Sequence, residues 1–128
     1  RKPRGSTTSG NDALSPYLVS KSAVIQWTHL LALRLAPYDI NVNCVCPGTI
    51  WTPLWERLAM NSAHTQALRS GVEKSPREVF DETARARSPL GRAQTPEEIG
   101  YTVAFLASGD ADAITGQALN VNGGAIMN

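Results

Sequence analysis

Ile40-Asn41-Val42-Asn43-Cys44-Val45-Cys46 runs directly into Pro47-Gly48, and the reading of this stretch sets the fold. Its β-branched residues, bounded by Tyr38-Asp39 and Pro47-Gly48, predict a strand. Ile40, Val42, Cys44 and Cys46 then share one face, and Asn41, Asn43 and Val45 the other. Before it, Tyr17 to Ala36 has helical composition. Ser15-Pro16 opens this helix, since serine caps and proline needs no N–H in the first turn, and Pro37 stops it. Val24, Trp27, Leu31 and Leu35 recur at helical spacing, while Leu18, Ile25, Leu30 and Leu33 cover other faces. A helix apolar over so much of its girth is expected to be buried on several sides, between a sheet and another subunit.

Beyond the strand, Thr52-Pro53 opens a helix to about Arg69 that carries Leu54, Trp55, Leu58 and Ala59. Ser75-Pro76-Arg77-Glu78 and Thr95-Pro96-Glu97-Glu98 both match the capping-box pattern. The first introduces a polar helix to about Arg87. The second introduces one with Ile99, Val103 and Leu106 that ends near Ser108-Gly109. Gln117 to Asn122 reads as a second short strand before Gly123-Gly124. About four helices alternating with two strands predict an α/β fold with parallel strands. Two short strands do not make such a sheet on their own, so the expectation is the end of a larger α/β fold.

Composition narrows the function classes. With 42% hydrophobic and 18% charged residues among 128, a disordered or collagen-like chain is excluded. Twelve basic and eleven acidic residues give +1, which makes no electrostatic case for nucleic acid. No apolar run approaches the roughly 18 residues of a membrane span, because the longest, Leu30 to Ala36, contains Arg34. Arg1-Lys2-Pro3-Arg4 does not lead into a signal-peptide core and reads as a solvated tail. Cys44 and Cys46, two apart in a strand, are poorly spaced for a mutual disulfide and suit a reducing compartment; the cytoplasm is the expected location. His29 belongs to a polar stripe with Gln26 and Ser22, His64 lacks nearby ligands, and no metal site is expected.

Tyr17 and Lys21 carry the first chemical signal. Four residues apart on a helix, they face one side a turn apart, and Lys21 is the only charged residue between Ala13 and Leu33. An ammonium beside a phenol favours the phenolate, which suits proton exchange with an alcohol–carbonyl pair. The same spacing also suits the polar rim of an amphipathic helix.

The wider pattern resembles one family. Ser15-Pro16-Tyr17-Leu18-Val19-Ser20-Lys21-Ser22-Ala23 resembles the Tyr-x-x-x-Lys active-site segment of the short-chain dehydrogenases/reductases. Asn43-Cys44-Val45-Cys46-Pro47-Gly48-Thr49-Ile50-Trp51-Thr52 resembles the family's Asn-x-x-x-Pro-Gly-x-Ile/Val-x-Thr segment. Pro89-Leu90-Gly91-Arg92, Thr95 to Ile99, Phe105 to Ser108, Ile114 to Gln117 and Val121 to Gly124 follow in the family's order. The resemblance implies the C-terminal part of a Rossmann-like doubly wound parallel sheet, its last two strands with flanking helices. Residues 1–128 would then be the catalytic and substrate-binding half of one domain, with the nucleotide-binding half outside this sequence.

It further implies an NAD(P)-dependent oxidoreductase acting on a small-molecule alcohol or carbonyl, with NAD or NADP as cofactor. Tyr17 would be the general acid/base, and Lys21 would tune it and hold the nicotinamide ribose. Pro47 and Gly48 would form the turn beneath the nicotinamide, with the Ile50 backbone at its carboxamide. The Thr52 hydroxyl would lie near the carboxamide or pyrophosphate; capping the following helix is its other reading. Trp51, Trp55, Leu54 and Met60 fall where the family places its substrate lid, so Trp51 is a candidate substrate contact, while Trp55 and Leu58 have core-facing spacing. The helix of Tyr17 implies a homo-oligomer, a tetramer or dimer. No glycine-rich turn between strand and helix, the feature that holds pyrophosphate, occurs in this sequence. The family's catalytic serine would fall near Arg4, where Ser6 and Ser9 are the nearest hydroxyls and neither is assigned.

Overall fold

Proline is the first residue of every α-helix in the computed structural model, which describes residues 16–127. The order is α1 (Pro16–Leu35), a 3-10 turn (Ala36–Tyr38), β1 (Cys44–Pro47), α2 (Pro53–Ser70), α3 (Pro76–Arg87), α4 (Pro96–Leu106), a second 3-10 turn (Gly109–Ala111) and β2 (Ala118–Val121). Expectations for Arg1 to Arg4, Ser6, Ser9 and the Ser15 cap lie outside the described residues.

Local chemistry accounts for these boundaries. Thr52 Oγ1 accepts from Trp55 N at 3.4 Å and caps α2. The Ser75 box closes in both directions, Glu78 N donating to Ser75 Oγ at 3.2 Å and Ser75 N to Glu78 Oε2 at 2.8 Å. Thr95 and Glu98 repeat that exchange at 3.3 and 2.9 Å. Each box satisfies N–H groups that a helix start leaves without partners. At the other end of α2, Gly71 takes the left-handed conformation, φ 68°, and its N–H reaches Ala67 O.

β1 starts later than the hydrophobic pattern suggests, and Ile40 to Asn43 lie outside it. The asparagines are the reason. Asn41 Nδ2 donates to Asp112 O at 2.9 Å and Asn43 Nδ2 to Ile114 O at 2.7 Å, while Asn43 Oδ1 accepts from Gln117 N. Val42 N donates to Thr115 Oγ1. Ahead of Cys44 the pairing is thus mixed. Gly116 N still donates to Val42 O at 2.8 Å, while the other bonds run through the side chains of Asn41, Asn43 and Thr115. β1 and β2 form the sheet of the described residues. Cys44 N donates to Gln117 O and Gly48 N to Val121 O; the equal advance along both strands makes the pair parallel.

The chain separates into two compact units, Arg1–Cys46 with Tyr101–Leu119, and Pro47–Gly100 with Asn120–Asn128. In the first, α1 buries only Thr28 and Ala32. A Cβ on Gly116, whose φ is 69°, would stand 3.3 Å from the Ala32 methyl. Tyr17, Leu18, Val19, Val24, Trp27, Leu30 and Leu33 are exposed, so burial of α1 on several sides is not found in this chain. The helix is apolar all round, and one flank has neighbours.

The second unit is built on Phe80, only 1% exposed, with Val79 and Ala84 beside it on α3 and Ala59 and Ala63 on α2. α3 is polar and runs to Arg87 as expected, with its charges on one side and its few apolar residues at the centre of the unit. Leu58 departs from its core-facing spacing: it is 46% exposed while the neighbouring Ala59 is buried. Small residues on that stripe let α2 approach α3.

Candidate active site

Tyr17 and Lys21 meet on the first turns of α1. The Lys21 ammonium stands 5.6 Å from the centroid of the Tyr17 ring, within cation–π range. The Tyr17 carbonyl accepts from Ser20 Oγ at 2.7 Å, and among the described residues its phenol hydroxyl has no hydrogen-bond partner. Tyr17 as a whole is 62% exposed.

The second group is one continuous run, Pro47 to Thr52, at the end of β1. Pro47 has no N–H to donate, and Gly48 N is spent on Val121 O at 3.1 Å. Gly48 is a steric requirement: a Cβ there would run into Gln94 Oε1 and lie 2.7 Å from Asn122 Cα. Gln94 N donates to Thr49 O at 3.0 Å, and Ile50 forms a parallel bridge with Gln94. In a parallel pairing of this register the Ile50 N–H and C=O point away from the Gln94 side. They are left for a partner on the opposite edge. The Thr52 hydroxyl is occupied as an acceptor by its capping role and keeps a proton to donate.

Trp51 packs against α3. Its ring meets Phe80 edge-on at 4.8 Å between centroids, and the Arg77 guanidinium lies 5.1 Å over it. Trp55 meets Phe80 from α2 at 5.8 Å, with the Arg87 guanidinium 5.7 Å over its ring. A cavity of about 550 Å³ opens beside Trp51, lined also by Arg77, Asp81, Arg85, Gln94 and Glu97. Arg77 pairs with Asp81 at 3.2 Å and Arg92 with Glu98 at 2.5 Å. The Arg92 hydrogen bonds, helped by the Thr95 N–H, hold the Glu98 carboxyl down at about 2. Sequence reasoning passed over Arg77, Arg85 and Gln94; the first two lie in a charged stretch and the third in a short polar turn, with nothing in spacing to mark them.

Cys44 and Cys46 are free and half-buried, and burial, then the neighbouring Cys44, pushes the Cys46 thiol up. Among the described residues no group of three or more His, Cys, Asp or Glu side chains is placed to hold a metal ion. No described helix is long and apolar enough to cross a membrane.

Parallel strands with helices, a Tyr-x-x-x-Lys helix and a Pro-Gly run after a strand are the features of one class, and the family match agrees. The model described as enoyl-(acyl carrier protein) reductase matches residues 5–126. The chain belongs to the short-chain dehydrogenase/reductase family. It is 43% identical over 110 residues to an L-fucose dehydrogenase of Oryctolagus cuniculus, a match covering 86% of this chain and 34% of that protein. Among solved structures it resembles the L-sorbose reductase of Gluconobacter frateurii complexed with NADPH and L-sorbose. That likeness has a TM-score of 0.73 and 29% identity, over 88% of this chain and 40% of the reductase. A short-chain dehydrogenase of Leptospira borgpetersenii with bound NAD+ gives a TM-score of 0.64 at 29% identity, over 87% and 35%. The chain thus spans between a third and two-fifths of the length of these relatives.

Proposed function

We propose that these residues are the C-terminal, catalytic part of an NAD(P)-dependent oxidoreductase that interconverts an alcohol and a carbonyl. The observation that carries the reading is the Tyr17–Lys21 pair, an exposed tyrosine with an ammonium over its ring, in a chain of dehydrogenase and reductase kinship. Tyr17 donates its hydroxyl proton to the carbonyl oxygen during reduction and takes the proton from the alcohol during oxidation. Lys21 keeps a positive charge beside the phenol and holds the ribose hydroxyls.

The cofactor, when bound, supplies or accepts the hydride. Its amide end fits the run from Pro47 to Thr52. A carboxamide needs one donor and one acceptor side by side, and the Ile50 N–H and C=O are such a pair without a sheet partner. Pro47, exposed, and Gly48, held close against Gln94 and Asn122, would form the turn beneath the nicotinamide ring. The Thr52 hydroxyl retains a proton for the carboxamide or pyrophosphate. Relatives with NADPH and with NAD+ support NAD or NADP without choosing between them. The nucleotide-binding half, with its glycine-rich turn, belongs to a longer chain in this reading, as the partial coverage of the relatives suggests.

Substrates are small alcohols or carbonyls, sugars and polyols foremost, since the relatives above include sugar dehydrogenases and reductases. Trp51 is the proposed substrate contact, as a wall of the 550 Å³ cavity. The protein is a cytoplasmic homo-oligomer, a dimer or tetramer, with the exposed apolar residues of α1 in its interface. Those same residues favour a second reading, a non-catalytic member that acts through assembly. The test is to mix the full-length protein with NAD+ or NADP+ and a panel of polyols, or with the reduced cofactors and ketones. The appearance or loss of the reduced-nicotinamide absorbance is expected; its absence across the panel, with the oligomer intact, would favour the assembly reading.

A further inference from the structure

Gln94 is 6% exposed, and its Oε1 is buried without a hydrogen-bond partner. A buried acceptor left unpaired is unfavourable, so what holds it there is shape. The side-chain amide sits between two glycines. A Cβ on Gly48 would overlap Oε1, and a Cβ on Gly123 would come 2.5 Å from Nε2. Nε2 donates to Arg92 O at 3.2 Å, which fixes the amide's orientation, and Arg92 is itself held by Glu98 through two hydrogen bonds. Meanwhile the Gln94 backbone donates to Thr49 O and bridges Ile50. One residue thus grips the Pro47–Thr52 run twice, by its backbone at Thr49 and Ile50 and by its side chain behind Gly48.

We propose that Gln94 is a positioning residue for the nicotinamide-binding run, setting where the Ile50 backbone groups stand and so the grip on the cofactor's amide end. This rests on the function proposed above. Without the side chain, Gly48 loses the surface behind it and the run gains freedom, while Tyr17 and Lys21 are untouched. The loss therefore falls on cofactor binding and not on the proton transfer.

Two measurements on the full-length protein test this, in wild type, Gln94→Ala and Gln94→Met. Met preserves length and bulk but has no amide. In Gln94→Ala, amide hydrogen exchange over residues 47–52 should quicken about tenfold while residues 76–87 keep their wild-type rate. The KM for NAD(P)H should rise about tenfold with kcat within about twofold. Gln94→Met should stay close to wild type in both readings, which separates shape from hydrogen bonding and serves if the alanine variant folds poorly. Unchanged exchange over 47–52 in Gln94→Ala, or quickening spread equally over 76–87, would overturn the positioning role. So would a Gln94→Met protein as perturbed as the alanine variant. Exchange as expected in a protein that binds no nicotinamide nucleotide would overturn the nicotinamide reading, and the cofactor role of Gln94 with it.

Discussion

Phe80 presents its edge to Trp51, ring centroids 4.8 Å apart and planes inclined by 73°. This contact ties the residue after Ile50 to the centre of α3, so the helix that looks polar in sequence anchors the chain around the proposed cofactor run. Aromatic edge contacts of this kind add to the gain from burial.

Phe80→Ala should therefore cost about 3–5 kcal/mol of stability, since the ring is 1% exposed and both Trp51 and Trp55 rest on it. Denaturant unfolding of the full-length protein measures the loss, and tryptophan emission should shift to the red as the indoles gain water. A variant of unchanged stability would mean that the second unit is not built on this side chain.

Gly48→Ala should disrupt the turn, and Gln94→Ala should not rescue it. Removing the glutamine side chain relieves one clash, but Asn122 Cα remains 2.7 Å from the added methyl, and backbone yields less readily than a side-chain tip. Melting temperature and cofactor KM of the single and double variants check this. Full rescue in the double variant would show that Gln94 alone forbids a side chain at position 48.

Acid should reach the Arg92–Glu98–Thr95 clasp late. The Glu98 carboxyl is held at about 2, below the roughly 4.3 of a free glutamate. Its contribution to folding is thus complete above about 4.3 and is lost as pH falls towards 2. Carboxyl NMR titration should place its midpoint near 2 in wild type and move it upward in Arg92→Ala, because the Arg92 hydrogen bonds are the largest cause. A midpoint near 4.3 in wild type would contradict the clasp.

Assembly should depend on α1. Leu33 is 76% exposed and Trp27 59%, both on a helix with few neighbours of its own. Leu33→Glu should shift the full-length protein to smaller species by sedimentation while circular dichroism stays unchanged. An oligomer of unaltered size would place the interface elsewhere.

Much of the fold was legible because helix starts are local events. Thr52-Pro53, Ser75-Pro76 with Glu78, and Thr95-Pro96 with Glu98 each hold their capping chemistry within four residues, so reading them needs no tertiary information. The start of β1 was not legible, since Asn41 and Asn43 take partners some seventy residues away. Phe80 escaped for a similar reason: one aromatic among charges looks solvated until α2 is seen to cover it with Ala59 and Ala63. In the site, the spacing of Tyr17 and Lys21 alone also suits a polar helix rim, and the pair stands out only with the segments around and after it. Gln94 does not stand out, because its role lies in two glycines distant in sequence, Gly48 and Gly123.

The most direct measurement is turnover of the full-length protein with Tyr17→Phe, which removes one hydroxyl and leaves the ring under the Lys21 ammonium. Loss of about a hundredfold or more in kcat, with NAD(P)H affinity and oligomer size unchanged, is the predicted result. Undiminished turnover in Tyr17→Phe would contradict the assignment of the proton to this phenol.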